Sequence, residues 1–259
     1  MKDRVKQQQE AVEQLNRGLE SLQLGGAATC VYNPLIYARS VFDAYLARYG
    51  ATRKRVVFLG MNPGPWGMAQ TGVPFGEVNV VRDWLQLSAP IGRPKLEHPQ
   101  YPIHGLGCKR SEVSGRRLWG LFRKRFGNPK SFFEKHFVVN YCPLLFIADS
   151  PRKNGTMGGR NLTPDKLPAE VRHPLYALCN RHLTDVIEAL EPTHIVGIGA
   201  FAEARAREAM GEGLQISRVL HPSPASPQSN RDWEGTATRQ LIEQGVWPQE
   251  SLKEQTDIG

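Results

Sequence analysis

Apolar residues recur along the chain at two different spacings, and the two kinds of segment alternate. Helical spacing, with apolar residues three or four positions apart, predicts helices over 3–23, 37–49, 80–87, 112–126, 169–190, 200–210 and 230–244. Short, mainly apolar segments predict strands over 55–61, 137–140, 194–198 and 214–220, of which the first is expected to be buried. Strands that alternate with helices form a parallel sheet covered on both faces, so we predict an α/β fold around a mostly parallel four-stranded sheet.

Segments rich in glycine, proline and polar residues separate these elements. We expect loops over residues 62–79, 88–110 and 147–168. The chain shows no internal repeat, and we predict one domain over residues 1–247 that includes an N-terminal helical segment, 1–25. The charged residues 248–259 are expected to form a flexible tail.

Three polar side chains stand where predicted strands end. Asn62 follows the first strand, Asn140 closes the second, and His221 follows the fourth. Ligands of parallel sheets bind beyond the carboxyl ends of the strands, so these side chains are expected to share one site. Taken singly, each has a plain structural explanation, since asparagine often turns a chain after a strand and a histidine before proline is often a surface or capping residue.

Three sequence motifs contain these residues. They are Gly60-Met61-Asn62-Pro63-Gly64-Pro65 with its extension to Phe75-Gly76-Glu77, then Asn140-Tyr141-Cys142-Pro143, and last His221-Pro222-Ser223-Pro224, with Val81-Arg82-Asp83-Trp84-Leu85 and Glu112-Val113-Ser114-Gly115 between them. With these motifs in this order, the chain resembles the single-strand-selective monofunctional uracil-DNA glycosylases over residues 30–247. They are a branch of the uracil-DNA glycosylase superfamily, and the resemblance implies a three-layer α/β/α fold.

The resemblance also implies an activity. Such an enzyme excises uracil, and here also 5-hydroxymethyluracil, from single- and double-stranded DNA in base excision repair by hydrolysing the N-glycosidic bond. Asn62 would orient the attacking water, because a neutral amide accepts a hydrogen bond but has no useful pKa as a base. His221 would donate to the uracil oxygen as negative charge develops there. No lysine matches the site, so we predict no lyase activity on the abasic product.

Four residues are expected to bind the base, namely Met61, Gly64, Phe75 and Asn140. Phe75 would stack on the flipped uracil, and Asn140 would read it, because one amide offers a donor and an acceptor side by side. Met61 and Gly64 would shape the pocket through backbone atoms. Because Gly64 has no side chain, we expect room beside the 5-position of the base.

Two further segments are expected to contact DNA. Ser114, Arg116 and Arg117 lie at the start of a predicted helix, where phosphate binds well. The wedge loop that would open the base stack consists of Pro222, Ser223, Pro224, Ala225 and Ser226. Animal members of the family have a basic residue at the position of Ala225, so we expect this smaller wedge to fill the vacated stack less well.

Composition agrees with a nucleic-acid partner. The net charge of +8 suits a polyanion, although it also serves solubility. The four cysteines lie far apart with no CxxC pair, which predicts reduced, mostly buried thiols rather than an iron–sulfur cluster. No metal or cofactor is implied. The chain shows no secretion signal and no long apolar segment for a membrane, and we expect a monomer in the cytoplasm of a bacterium or the nucleus of a eukaryote.

Other functions stay open at this point. A glycosylase of the same fold could prefer xanthine or hypoxanthine, and a non-catalytic DNA-binding relative could keep the fold alone. Against the binding protein stands the joint presence of Asn62, Asn140 and His221, which binding alone does not require. A phosphate-binding hydrolase lacks support, because no P-loop lysine follows the glycines.

Overall fold

The computed structural model describes residues 3–24, 26, 28–151 and 156–249. Along the chain the helices and strands are α1 Arg4–Glu20, β1 Cys30–Tyr32, α2 Pro34–Tyr37, α3 Arg39–Tyr49, β2 Val56–Gly60, α4 Met68–Thr71, α5 Val113–Phe126, α6 Pro129–Phe133, β3 His136–Asn140, β4 Leu145–Pro151, β5 Met157–Leu162, α7 Ala169–Leu190, β6 His194–Ile198, α8 Ala200–Met210, β7 Gln215–Val219 and α9 Pro227–Glu243. A π-helical turn covers Val80–Trp84, and 3-10 turns cover Gly105–Gly107 and Pro164–Lys166.

The four predicted strands form one parallel sheet in the order β3-β2-β6-β7. All five residues of β2 are buried, because this strand has neighbours on both edges and helices on both faces. Its last residue, Gly60, is paired with Asn140 at the end of β3. The carboxyl ends of β2 and β3 therefore meet at the same edge of the sheet.

Aromatic side chains fill the space between the sheet and the helices on each face. On one face, the ring of Phe58 packs 4.9 Å from Phe122 of α5. On the other, Phe137 stacks on Tyr45 of α3 at 4.9 Å. Each such buried ring contributes roughly 1.5–3 kcal/mol through the removal of apolar surface from water. The prediction of a three-layer α/β/α fold with a four-stranded parallel sheet is confirmed.

The prediction of a loop over residues 147–168 is wrong. Strands β4 and β5 form an antiparallel hairpin there, and β1 pairs with β4 to complete a second, three-stranded sheet. β5 has the sequence Met-Gly-Gly-Arg-Asn-Leu, with half of its residues exposed, so its apolar pattern gives no strand signal. Its pairing with β4 comes from backbone hydrogen bonds, which the apolar pattern does not report.

The remaining differences are local. The helix predicted over 80–87 is a short π-helical turn, and α6 was not predicted at all because Pro129 begins a helix of only five residues. The last helix begins at Pro227, earlier than expected, with a kink at Asp232. The flexible tail was predicted over 248–259, of which residues 250–259 lie outside the described part of the chain.

Candidate active site

Asn62 lies beyond the carboxyl end of β2, in the turn that leads to α4. Its Nδ2 donates to the carbonyl oxygen of Leu144 at 3.1 Å and to that of Pro63 at 3.5 Å. Since both neighbours are acceptors, only the NH2 end of the amide fits there. Oδ1 consequently faces away from them, and within the described ranges no protein group donates to it. An oriented and unused acceptor at this position can hold a water molecule.

Gly60, Phe75 and Asn140 meet in one tight cluster. A Cβ on Gly60 would lie 2.3 Å from Asn140 Oδ1 and 2.4 Å from Cε2 of Phe75. Only a residue without a side chain lets the amide and the ring approach the end of β2 this closely. The close packing explains why Gly60 precedes Met61 and Asn62 in the first motif.

The Asn140 amide is bonded at one end only. Nδ2 donates to the thioether sulfur of Met68 at 3.1 Å, which is a weak acceptor. Oδ1 is buried and has no hydrogen-bond partner in the described structure. A buried acceptor without a donor costs about 1–3 kcal/mol, so this amide is suited to a ligand that brings an N–H group.

Phe75 has an unusual backbone conformation. Its φ is +53°, in the left-handed region that costs a residue with a side chain roughly 1–2 kcal/mol. The ring is only 8% exposed, and the amide of Glu77 donates to the Phe75 carbonyl at 2.7 Å. Gly115 packs against the same carbonyl, since a Cβ on Gly115 would lie 2.2 Å from the Phe75 oxygen. This contact fixes the position of the turn between α4 and α5. Such strain is typical of functional positions.

His221 lies just beyond the end of β7, which is separated from β2 by β6, and it approaches this cluster from that side. Its ring centroid lies 6.1 Å from that of Phe75. The backbone of Gly199, which has a φ of +92°, packs behind it, since a Cβ there would lie 3.1 Å from His221 Cβ. Burial lowers the pKa of His221 to about 4, so the imidazole is neutral at physiological pH. Among the described residues, neither ring nitrogen has a hydrogen-bond partner.

Glu112 occupies the space over Gly64 and Gly67. A Cβ would lie 1.5 Å from Glu112 Oε1 if placed on Gly64, and 1.9 Å from Oε2 if placed on Gly67. Burial, with a smaller effect of the Glu77 carboxylate, raises the pKa of Glu112 to about 7. Part of the space that the missing side chain of Gly64 leaves is thus filled by a carboxyl group. This residue was not assigned a role from the sequence, although it lies in one of the matching segments.

The predicted DNA contacts fall into two groups. Ser114 Oγ donates to the Pro222 carbonyl at 3.5 Å, and Arg117 donates to the same carbonyl at 3.2 Å and to Asn230 Oδ1 at 2.9 Å. These two side chains thus bind the wedge loop to the start of α5. Arg116 is exposed and lies beside the first turns of α9.

The wedge loop is closed by one hydrogen bond within the loop and one from α9. The Ala225 amide donates to Ser223 Oγ at 3.1 Å, and Asn230 Nδ2 donates to the Pro224 carbonyl at 2.8 Å. Ser226 caps α9, with its side chain accepting from the Ser229 amide. Pro224 and Ala225 are exposed and form the tip of the loop, while Pro222 is buried at its base.

The cysteines and the remaining acidic and histidine side chains form no metal site in the ranges described. All four cysteines are free and buried, which confirms the predicted buried thiols. No group of three or more His, Cys, Asp or Glu side chains in those ranges could hold a metal ion. The helices described include none that is both long enough and apolar enough to cross a membrane.

Comparisons with known proteins agree with this architecture. A family model described as the uracil DNA glycosylase superfamily matches residues 47–242. The single-strand selective monofunctional uracil DNA glycosylase of Bos taurus is 48% identical over 237 residues, which cover 90% of this chain and 84% of that protein. The Mus musculus protein of the same name is also 48% identical, over 90% of this chain and 82% of that protein.

A solved structure is similar in fold. The crystal structure of wild-type Pedobacter heparinus SMUG2 superposes with a TM-score of 0.63 at 16% identity, covering 91% of this chain and 97% of that one. The chain belongs to the uracil DNA glycosylase superfamily and, within it, to the single-strand selective monofunctional uracil DNA glycosylases. The resemblance carried by the sequence motifs is confirmed.

Proposed function

We propose that this chain is a monofunctional DNA glycosylase that excises uracil from DNA by hydrolysing the N-glycosidic bond. The proposal rests on the Asn62 amide, whose Nδ2 is fixed by a hydrogen bond and whose Oδ1 is free to accept one. This amide lies at the end of β2, where Gly60, Phe75, Asn140 and His221 come together. The names of its mammalian relatives agree with this activity.

The reaction asks two things of the site. A water oxygen bonds to the sugar carbon while the carbon–nitrogen bond to the base breaks. The electron pair of the broken bond stays with the departing base. Asn62 Oδ1 accepts from that water and aims it, and the spare proton of the water passes to solvent because an amide cannot take it. The N–H of His221 donates to the uracil oxygen that gains negative charge. A neutral imidazole suits this role, since it stabilises the anion without transferring its proton.

Base selection rests on Asn140 and Phe75. Uracil offers Asn140 a carbonyl oxygen for Nδ2 and an N–H for the unpartnered Oδ1, whereas cytosine presents these groups in reverse. Each mispaired buried group would cost about 1–3 kcal/mol, which disfavours cytosine. Phe75 stacks on the base once it has left the helix.

We extend the proposal to 5-hydroxymethyluracil. The turn at Gly64 carries no side chain, and Glu112 lies over it with a pKa near 7. A carboxyl group that is partly protonated at neutral pH can donate to a hydroxyl or accept from it. Met61 contributes backbone atoms, and its carbonyl already accepts from the Cys142 amide at 2.9 Å.

DNA would lie across the start of α5 and the wedge loop. Arg116 and the free amides of the first turn of α5 are suited to phosphate, and Pro224 and Ala225 would enter the space that the flipped base leaves. Ser114 and Arg117 support this loop from behind. The working unit is a monomeric domain over residues 1–247, active in base excision repair in a bacterial cytoplasm or a eukaryotic nucleus.

The proposal is tested with labelled strands that contain uracil, 5-hydroxymethyluracil, xanthine, hypoxanthine or thymine, incubated in EDTA and then treated with alkali. We expect cleavage at uracil and 5-hydroxymethyluracil that appears only after alkali. Cleavage at xanthine or hypoxanthine alone would indicate a relative of changed specificity. No cleavage of any strand, with DNA still bound, would indicate a binding protein.

A further inference from the structure

A groove lined by aromatic and basic residues opens beside the turn that carries Asn62. Its volume is about 680 Å³, and its lining includes Trp66, Tyr101, Lys109 and Arg110. Trp66 belongs to the same turn as Asn62, so the groove adjoins the proposed site. None of its residues has a role in the reaction outlined above.

Three side chains of the groove are stacked in series. The Arg110 guanidinium carbon lies 4.2 Å from the centre of the Trp66 ring, and the Trp66 ring stacks on Tyr101 at 5.6 Å with an interplanar angle of 26°. A guanidinium over an indole is attracted to the ring and keeps its N–H donors at the edge. Arginine is thereby fixed in place with its donors available to a ligand.

The charge of the groove is unbalanced. Its lining in the described structure includes Lys109 and Arg110 but no Asp or Glu. Neither cation forms an ion pair there, unlike Arg205, which lies over Tyr176 and also pairs with Glu208. A stacked arginine without a carboxylate partner, next to an exposed lysine, is suited to a phosphate group.

Hydrogen bonds from buried groups hold the walls of the groove in place. The buried Gln70 donates to the carbonyls of Pro65 and Pro102 at 2.9 and 3.0 Å and accepts from the His104 amide at 2.8 Å. The Tyr101 hydroxyl donates to the Gly159 carbonyl at 2.9 Å, so β5 supports the far wall. Because both walls are fixed before a ligand enters, binding requires little ordering of the protein.

We propose that this groove binds the nucleotide that neighbours the excised uracil in single-stranded DNA. Lys109 and Arg110 hold its phosphate, and its base packs edge-on against the parts of the half-buried Trp66 and Tyr101 rings that the stack leaves open to the groove. In a duplex the neighbouring base is stacked and paired, so this contact favours single strands. The inference rests on the proposed glycosylase function and adds a subsite to it.

The test compares three single strands: one in which uracil is flanked by a single nucleotide on each side, and two that are extended by four nucleotides on one side or the other. For the wild-type protein we expect one extension to lower KM by about tenfold, which is the order of one base–aromatic stacking contact. In Trp66→Ala and Arg110→Ala that gain is lost, whereas Trp66→Phe restores most of it because the ring remains. Lys130→Met, a cation at the start of α6 outside the groove, serves as the matched control and retains the gain.

If the strand extension lowered KM as much in both alanine variants as in the wild type, the proposed subsite would be wrong, while the glycosylase proposal would stand. If the wild-type protein released no uracil, the glycosylase proposal would fail instead. The groove is then tested through binding of uracil-free oligothymidylate, which the two alanine variants should bind about tenfold more weakly. Thermal unfolding of each variant shows whether a loss comes from misfolding. Arg110→Gln replaces Arg110→Ala, and Trp66→Leu replaces Trp66→Ala, where the alanine variant does not fold.

Discussion

Gly60 and Asn140 are the last residues of the neighbouring parallel strands β2 and β3 and are paired in register. Because Gly60 has no side chain, the Asn140 amide can lie against the end of β2. A Cβ on Gly60 would lie 2.3 Å from Asn140 Oδ1 and 2.4 Å from the Phe75 ring. One missing side chain therefore sets the position of both groups that are proposed to hold the base.

We predict that Gly60→Ala lowers kcat/KM for uracil release by about 100-fold, because a displacement of about 1 Å in a positioned group has an effect of that order. The measurement is single-turnover uracil release from a single strand. Gly120→Ala in α5, where a Cβ meets nothing within 4 Å, is the matched control and should keep wild-type kinetics. Wild-type kinetics in Gly60→Ala would show that Asn140 and Phe75 need not be held so closely.

His221 should stay neutral across the physiological range. Burial lowers its pKa to about 4, so only about 1% is protonated at pH 6. We predict that the ¹⁵N shifts of its ring keep the neutral pattern from pH 8 to pH 5.5. A titration midpoint near 6.5 would show that the ring is solvated and would remove the reason for treating it as a neutral donor.

The free-energy linkage of Glu112 has the opposite sign to that of a salt-bridged carboxylate. Its pKa rises from 4.5 to about 7 on folding, so the folded state binds the proton more tightly. The contribution of Glu112 to the free energy of unfolding is therefore full below pH 4.5 and is lost as the pH rises from 4.5 to about 7.

We predict that Glu112→Gln removes this loss. The free energy of unfolding of the wild type, relative to that variant, should fall by about 3 kcal/mol between pH 4.5 and pH 8. Urea unfolding at both pH values gives the difference, and Glu134→Gln at an exposed position controls for the general loss of a carboxylate. Equal pH dependence of the wild type and Glu112→Gln would mean that the carboxyl is hydrated.

Much of this site could be predicted from the sequence, because the motifs place Asn62, Asn140 and His221 at or just beyond the carboxyl ends of predicted strands. Parallel strands end at one edge, so proximity follows from the topology. The role of Glu112 could not be predicted, since its carboxyl meets Gly64 only through packing between α5 and the turn after β2. The left-handed backbone of Phe75 also leaves no trace in the sequence, because phenylalanine does not favour it.

Fold prediction failed where structure depends on pairing rather than on the apolar pattern. β5 contains two glycines and exposed polar residues. It forms a strand because its backbone pairs with that of β4 through hydrogen bonds. Strands β2 and β6 were found because burial on both faces makes each a nearly continuous apolar run, whereas β7 at the edge of the sheet alternates apolar and polar residues.

Ala225 at the tip of the wedge loop should limit activity on duplex DNA. We predict that Ala225→Arg raises the ratio of duplex to single-strand turnover by roughly tenfold, because a larger side chain fills the vacated stack and offsets part of the unstacking energy. Gln228→Arg adds the same charge at an exposed position on α9, behind the tip, and controls for general attraction to DNA. An equal rise in both variants would assign the effect to charge alone.

The most direct test of the central claim is single-turnover release of free uracil from single-stranded DNA in EDTA by the wild type and by Asn62→Ala. We predict one free uracil for each abasic site, strand breakage only after alkali, and a rate at least about 100-fold lower in Asn62→Ala. Binding of that variant to DNA with an abasic site should persist. Release by Asn62→Ala at the wild-type rate would contradict the assignment of the water-orienting group, and no release by the wild type would contradict the glycosylase itself.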